Sequence, residues 1–352
     1  MLRSRVSGYL RCAMSTGAAL VALLPAAIAP AAEGIDAKGE VTRVQFRRPA
    51  RDAESDDWLY RGIETLQPGS SSSATRRAAI SELPLDRLRP EARARAESIL
   101  KDVGLFRRLP ALQFEVDPDV YRYFLEHPDV AVGTWRAMEI SKFELKPVRA
   151  GVYHADAGDG SVGEVEVFYR TPGDTLIACD GAFKSPLLAR PIVARALMRV
   201  QTEFHREMDG RVVAVQNGDV FVQFPSTTVE TVAKIISPVS HSIADRNFKQ
   251  ITLFMYMMSQ AAGKQPGWVE SIGRRLDQVS DEERVEFLEM AARAYITARR
   301  RELGANEPDK SFSVDEILSP LRQSNSVDPM GTAVIRAAAG ESPMNLPGPA
   351  RR

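Results

Sequence analysis

Residues 251–263 read "ITLFMYMMSQAAG", and this stretch decides the fold. It gathers three methionines with Phe254 and Tyr256 in a chain that is only 7% aromatic. From 228 to 262, apolar residues recur three, four or eight positions apart, which is the period of one helical face. The apolar run covers about eight residues between Gln250 and Gln260, whereas a membrane helix needs about 20. We therefore predict the end of an amphipathic helix.

One proline divides this helical pattern. A proline inside a helix removes a hydrogen bond and clashes with the preceding turn. Pro238 therefore predicts a short helix followed by a longer one that starts near Val239. At about 24 residues, the second helix is roughly 36 Å long, enough to cross a small sheet.

The beginning of the chain has the pattern of an export signal. Arg3, Arg5 and Arg11 precede an apolar run that ends in small residues, as in a secretory signal peptide. We predict a signal peptide over 1–31 and an exported protein, periplasmic or extracellular. An uncleaved anchor is the alternative, although Pro25 interrupts the apolar run. Without residues 1–31, no transmembrane span is predicted.

Two polar segments are predicted to flank the folded part. Residues 32–88 are rich in charge, serine and proline and predict a flexible leader, and residues 324–352 predict a disordered tail. Signal removal leaves 43 basic and 46 acidic residues, which gives no indication of a nucleic-acid partner. It also leaves Cys179 as the only cysteine, so no internal disulfide can form. Cys179 lies in a strand pattern and is interpreted as a small buried hydrophobe.

Ordered structure is predicted to begin with a helix that Pro90 opens and Gly104 closes, and a strand and two short helices follow it. "ALQFEVD" alternates apolar and polar residues, as a half-buried strand does. Asp117 is a good N-cap and Pro118 suits the first helical position, so a short helix follows. Asp129 begins a second short helix.

Four strand-like runs follow, between residues 139 and 183, and turn residues separate them. We predict an antiparallel meander. In its third run Val165, Val167 and Tyr169 share one face, and Glu164, Glu166 and Arg170 share a solvent-exposed face.

Residues 195–208 are ambiguous. Their apolar residues suit a helix, but "MDGR" predicts a hairpin turn before the strand-like "RVVAVQNGDVFVQF". We favour a strand over 196–206. If the Asn217-Gly218 pair is itself the hairpin turn, the helix is correct instead. After Gly263, two further amphipathic helices are predicted, the second beginning with a capping box at Ser280 and Glu283.

This order of elements resembles the START-like superfamily and its helix-grip fold. The resemblance covers residues 109–263 and implies an α+β domain over 89–263, with a curved antiparallel sheet of six or seven strands wrapped on the long helix. The helices after it give a helical extension over 264–323. Helix-grip proteins generally hold a hydrophobic molecule between sheet and helix, and methionines suit a wall whose occupant varies in shape. The expected ligand-lining residues are Ile243, Ile251, Phe254, Met255, Met258, Tyr169 and Cys179.

The sequence favours binding over catalysis. It contains no nucleophile elbow, dinucleotide fingerprint or phosphate loop, so we predict no catalytic residue and no cofactor and leave enzymatic activity uncertain. His154 with Asp156, or His205 with Glu207, could share a strand face, but a third metal ligand cannot be identified. We therefore predict no metal site.

Three functional hypotheses remain. The first is an exported binding protein for a lipid or other hydrophobic small molecule. The second is a non-enzymatic protein with a filled core that associates with a protein partner through residues 266–303. The third, a hydrolase or cyclase in the same pocket, lacks an assigned acid, base or nucleophile.

Overall fold

The computed structural model describes residues 60–183, 191–224 and 237–304, with a few positions between 313 and 320. The predicted signal peptide, the leader up to residue 59, the tail over 324–352 and the short helix before Pro238 lie outside the described residues. The described chain divides into two compact units.

Within the described residues the fold is mixed α+β, with nine strands and seven α-helices. The strands are β1 Ile63–Gln67, β2 Leu105–Arg108, β3 Ala111–Glu115, β4 Glu144–Arg149, β5 Val152–Asp156, β6 Ser161–Thr171, β7 Asp174–Phe183, β8 Ile192–Arg206 and β9 Val212–Gln223. The helices are α1 Ser73–Ser81, α2 Pro90–Lys101, α3 Pro118–Glu126, α4 Pro128–Ala137, α5 Ser237–Lys264, α6 Pro266–Gly273 and α7 Asp281–Gly304.

The strands form one open sheet in the order β1-β3-β9-β8-β7-β6-β5-β4, and β2 also pairs with β9. The pairs whose registers are defined are antiparallel. The sheet has nine strands, two more than the upper end of the predicted six or seven. β1 extends the edge beyond β3, and β2 precedes β3 along the same side of β9, separated from it by Leu109 and Pro110.

The ambiguous region over 195–208 lies almost wholly in a strand, β8, as favoured from the sequence. β8 reaches β9 through a hairpin turn at Gly210, whose φ of +81° suits glycine. The Glu207 N–H donates to the Arg211 carbonyl at 2.8 Å and closes this turn. The Asn217-Gly218 pair lies inside β9, so it is not the hairpin turn.

The predicted flexible leader is wrong for its last part. Residues 63–88 form β1, α1 and a 3-10 turn, and α1 and α2 bury one face of the sheet. Ala79, Leu83 and Leu88 pack into the same core as Phe168 and Phe221. The apolar residues of this segment are few and unevenly spaced, so the sequence shows no clear helical period. The helix is stable because the sheet supplies the rest of the apolar core.

The predicted solvent-exposed face of β6 is covered in part, since Glu166 is buried whereas Glu164 is exposed. The guanidinium of Arg95 on α2 donates to Glu166 and, at 2.9 Å, to Asp180. Arg199 on β8 donates to Asp174 at 2.8 and 2.9 Å and to the Glu82 carbonyl. Arginine pairs of this kind satisfy carboxylates near a helix that covers them. The charges on this face therefore anchor α2 and the end of α1 to the sheet.

The first unit holds the described residues of 60–114, 139–204 and 214–253, and the second holds 115–138, 205–213 and those from 254 onward. This division differs from the single domain expected over 89–263. The reason is that α3, α4 and the end of α5 pack with α6 and α7 around a separate aromatic core.

No helix in the described part of the chain has both the length and the apolar character needed to cross a membrane.

Candidate ligand-binding site

The first part of α5, residues 237–253, is fixed to the sheet at two points. Arg107 on β2 forms a two-pronged ion pair with Asp245. Seven residues later, the Thr252 hydroxyl donates to the Gln216 side chain on β9 at 3.2 Å. Residues seven apart lie on the same side of a helix. One flank of α5 is therefore held along β2 and β9.

These contacts are on the sheet face opposite to α1 and α2. Phe106 and Phe221 pair in register and belong to the core under those helices. Arg107 and its register partner Val220 therefore point to the other face, because side chains alternate along a strand. Gln216 is four residues before Val220 on β9, so its side chain points to the same face.

The same face continues across β8 and β7. A Cβ placed on Gly218 would lie 3.8 Å from the Met198 side chain, which sets Met198 on this face with Gly218. Ala196 has the parity of Met198 and pairs with Cys179. Cys179 thus lies on the face that carries the α5 contacts.

Cys179 is a buried thiol. Its side chain is 2% exposed, and its register partners on either side are Val165 and Ala196. Burial raises the pKa of this thiol to about 12, and the neighbouring Asp180 contributes in the same direction. A thiol with this pKa is protonated at neutral pH and is a poor nucleophile. The structure agrees with the sequence in placing Cys179 as a small buried residue.

Tyr169 does not join Cys179. A register shift between Val167 and Tyr169 places Tyr169 opposite Leu176, in contact with the core under α1 and α2. Its hydroxyl accepts a 2.8 Å hydrogen bond from Arg87. A β-bulge adds one residue and moves the following side chain to the other face. The expectation that Val165, Val167 and Tyr169 share a face is therefore wrong at Tyr169.

α5 has a clear inner face within the first unit. Ser242 and Arg246 are exposed one turn apart and mark its outer side, whereas Ala244 and Phe248 are buried. The predicted lining residues Ile243 and Ile251 are half-buried.

Asn247 lies at the centre of this inner face, one turn after Ile243 and one turn before Ile251. Its side chain is 2% exposed. Neither the amide nitrogen nor the amide oxygen has a hydrogen-bond partner among the described residues. Buried polar groups in folded proteins are nearly always hydrogen-bonded, because leaving one unpaired costs about 1–3 kcal/mol. Asn247 is thus the exceptional residue of this site.

The other three predicted lining residues, Phe254, Met255 and Met258, belong to the second unit. Phe254 is 2% exposed, and its ring packs edge-on against Trp135, with ring centres 5.5 Å apart. It also meets Phe124 at 5.1 Å. Edge-to-face aromatic pairs at these distances are well-packed core contacts. Phe254, Met255 and Met258 therefore belong to a different unit from the other four predicted residues.

The aromatic core of the second unit extends to α7. The ring centres of Tyr123 and Phe124 lie 6.1 and 6.3 Å from the ring centre of Phe287. The Tyr123 hydroxyl donates to the Glu283 carbonyl at 3.2 Å. Burial raises the pKa of the Tyr123 phenol, with Glu286 adding to the effect. Tyr123 therefore stays protonated and acts as a structural donor.

One further polar pair was not predicted. Ser71, just before α1, has its hydroxyl 3.2 Å from Nε2 of His241, and the Arg107 guanidinium donates to the same hydroxyl at 3.4 Å. Burial and the charge of Arg107 lower the pKa of His241. The Asp245 carboxylate is engaged by Arg107. The pair joins residues 170 positions apart, so no local sequence signal could have indicated it.

The histidine–carboxylate pairs considered in the sequence gain no third ligand among the described residues. His154 lies exposed on β5, opposite Glu164 and Lys146. Across the part of the chain that the structure describes, no three histidine, cysteine or acidic residues come together as metal ligands.

Comparisons with known proteins identify few relatives. No protein-family model matches the chain, and no curated protein sequence matches it. Among solved structures, an uncharacterised protein from Rhizobium leguminosarum matches with 11% identity and a TM-score of 0.23. That match covers 41% of this chain and 95% of the other chain.

Proposed function

We propose that the protein is an exported, START-like binding protein for a hydrophobic small molecule. The site lies in the first unit, between the inner face of α5 and the sheet face that carries Cys179. Its walls come from Ile243, Ile251 and Cys179, and its polar point is Asn247. Tyr169, Phe254, Met255 and Met258 are not part of this site.

The unpartnered amide of Asn247 is the observation that carries the proposal. An apolar residue at this position would complete the stripe of α5 without the cost of a buried, unpaired amide. A bound ligand would supply the hydrogen-bond partners that the amide lacks. Ligand pockets are mostly apolar, with a few polar groups that fix the orientation of the ligand.

The neighbouring contacts support a site with fixed geometry. The Arg107–Asp245 ion pair and the Thr252–Gln216 hydrogen bond hold α5 on both sides of Asn247 along its length. Both polar contacts lie on the flank of α5, so they position the helix and leave its central face to the ligand. Binding sites are most selective when their groups are held in place before the ligand arrives.

Native mass spectrometry of the purified protein tests this proposal. We expect a fraction of the protein to carry a co-purifying apolar molecule, and we expect organic extraction to release it. The Asn247→Leu variant should lose this molecule, whereas the exposed Ser242→Ala control should retain it. Wild-type protein that remains without ligand after incubation with lipid extract would contradict the proposal.

Export is a separate part of the proposal and rests on the sequence of residues 1–31. Expression of the full chain in a Gram-negative host, followed by fractionation, tests it. We expect a product shortened by about 31 residues in the periplasm or medium. Full-length protein confined to the cytoplasm would contradict export without affecting the ligand site.

A second candidate function is protein association through residues 266–303. The observation that favours it is the aromatic core around Phe254, which shows that the methionine-rich end of α5 is packed within a helical unit. Val285 on α7 is 44% exposed. A Val285→Glu variant should weaken self-association or partner binding in analytical ultracentrifugation if α7 forms that surface.

A further inference from the structure

We propose that the ligand carries a neutral polar end that donates and accepts hydrogen bonds side by side, as a primary carboxamide or a protonated carboxyl group does. This inference rests on the proposed function and specifies the chemistry that the site recognises. It follows from which atoms of Asn247 lack partners and from which charged groups surround them.

The side-chain amide of Asn247 offers both kinds of hydrogen bond. Its nitrogen is a donor and its oxygen is an acceptor, and both are bonded to the same carbon. Both atoms are buried, and neither has a partner in the described chain. An ester has no donor, so it would engage only the amide nitrogen and leave the amide oxygen unpaired. A carboxamide or carboxylic acid engages both in a ring of two hydrogen bonds.

The charges around α5 argue against an ionised ligand. Arg107, which contacts α5 from the sheet, is already paired with Asp245 on the flank of the helix. Arg246 is exposed, and Lys249, half-buried, is two positions from Asn247 on a different side of the helix. A carboxylate beside Asn247 would therefore be buried with only an amide as its partner. Burial without a counter-charge strongly disfavours the ionised form.

The apolar residues set the other half of the ligand. Ile243 and Ile251 lie one turn before and after Asn247, and Ala244 and Phe248 are buried beside it. A chain or ring of hydrocarbon attached to the polar end would contact these side chains. The ligand class is thus a neutral amphiphile with a single amide-like head.

Three probes with the same hydrocarbon tail separate the possibilities. We would measure the dissociation constants of oleamide, methyl oleate and oleate by equilibrium dialysis with the full-length protein at neutral pH. We expect oleamide to bind about tenfold or more tightly than methyl oleate, because the ester cannot donate a hydrogen bond to the Asn247 oxygen. Oleate should gain affinity as the pH is lowered toward its own pKa.

Two variants assign the preference to Asn247. Asn247→Leu should bind oleamide and methyl oleate within about twofold of each other and should melt at a higher temperature than the wild type, since it removes an unpaired amide. Asn247→Ala removes both the donor and the acceptor without adding bulk, so it should lose the oleamide preference even if the leucine variant folds poorly.

The outcomes distinguish this inference from the proposed function. If none of the three probes binds the wild-type protein, the proposed function fails. If all three bind equally, the protein binds apolar molecules but the inference about the polar end is wrong. If Asn247→Leu keeps the oleamide preference, a group other than Asn247 recognises the polar end of the ligand, and the inference is again overturned.

Discussion

Arg108 donates two hydrogen bonds to Asp219, at 2.8 and 2.9 Å, directly across the pair formed by β2 and β9. The Asp219 side chain is 1% exposed, and the same guanidinium reaches Glu82 at the end of α1. Through these contacts the pKa of Arg108 is raised further, Asp219 being the main cause. The buried Asp219 carboxylate thus holds Arg108, and Arg108 links the sheet to the end of α1 through Glu82.

Removing this carboxylate should be costly. We expect Asp219→Ala to lower the free energy of unfolding by about 3 kcal/mol, because it leaves the Arg108 charge partly buried without its partner. Glu97→Ala is the control, since the Arg93–Glu97 pair is half-exposed and one turn apart on α2. It should cost about 0.5 kcal/mol or less. Urea denaturation measures both, and equal losses would show that Asp219 has no special weight.

Asp117 predicts a pH dependence with a defined sign. Burial raises the pKa of its carboxyl above the ordinary value. The folded state therefore holds the proton more tightly than the unfolded state, and the stabilising contribution is complete below the unfolded pKa and lost as pH rises through the folded pKa. Asp117→Asn keeps an N-cap acceptor and should gain stability relative to the wild type between about pH 4 and pH 7.

Asp209 provides the matched control of opposite sign. The Arg211 N–H and guanidinium donate to its carboxylate and lower its pKa. Its contribution is present above the unfolded pKa and is lost as pH falls through the folded pKa. Asp209→Asn should therefore lose stability relative to the wild type as pH rises toward the ordinary carboxyl pKa of about 4, and the difference should stay constant above about pH 5. Thermal melts at a series of pH values compare the variants, and parallel pH curves for both would contradict the assignment.

The Cys179 thiol should be inert in the folded protein. With its pKa raised to about 12, the thiolate fraction at pH 8 is roughly a thousandfold lower than that of an exposed cysteine. A Cys12→Ser variant isolates Cys179, and a chromogenic disulfide reagent should react only after addition of urea. Rapid reaction in buffer would show that solvent reaches this sheet face readily.

Phe254 should behave as a core residue. Phe254→Ala is expected to lower the free energy of unfolding by about 3–5 kcal/mol, because it opens a cavity beside Trp135 and Phe124. The exposed Val285→Ala in the same unit should cost no more than about 0.5 kcal/mol. Chemical denaturation gives both values. A small stability loss with a large loss of ligand would instead return Phe254 to the binding site.

Short-range signals predicted many elements correctly. The Asp117 side chain accepts from the N–H groups of Asp119 and Val120, and Ser280 and Glu283 form the predicted capping box at 2.7 and 3.1 Å. These contacts span two or three residues, so the sequence shows both partners together. The strands were predictable for the same reason, since alternation is local.

Long-range pairings could not be predicted in this way. Arg95 and Glu166 are 71 positions apart, and neither position indicates the other. The bulge before Tyr169 depends on how β6 aligns with β7, which alternation in one strand does not determine. Asn247 left a visible signal, because it is a polar residue midway between Ile243 and Ile251 on the same helical face. Only its burial shows that this break in the apolar stripe matters.

The packing of α1 and α2 has a practical consequence for anyone who shortens this protein. A version that starts at residue 89 would keep the whole domain predicted over 89–263 but would remove Ala79 and Leu83 from their contacts with the core of Phe168 and Phe221. The newly exposed apolar surface would promote aggregation during purification. A workable starting point lies upstream of Ile63.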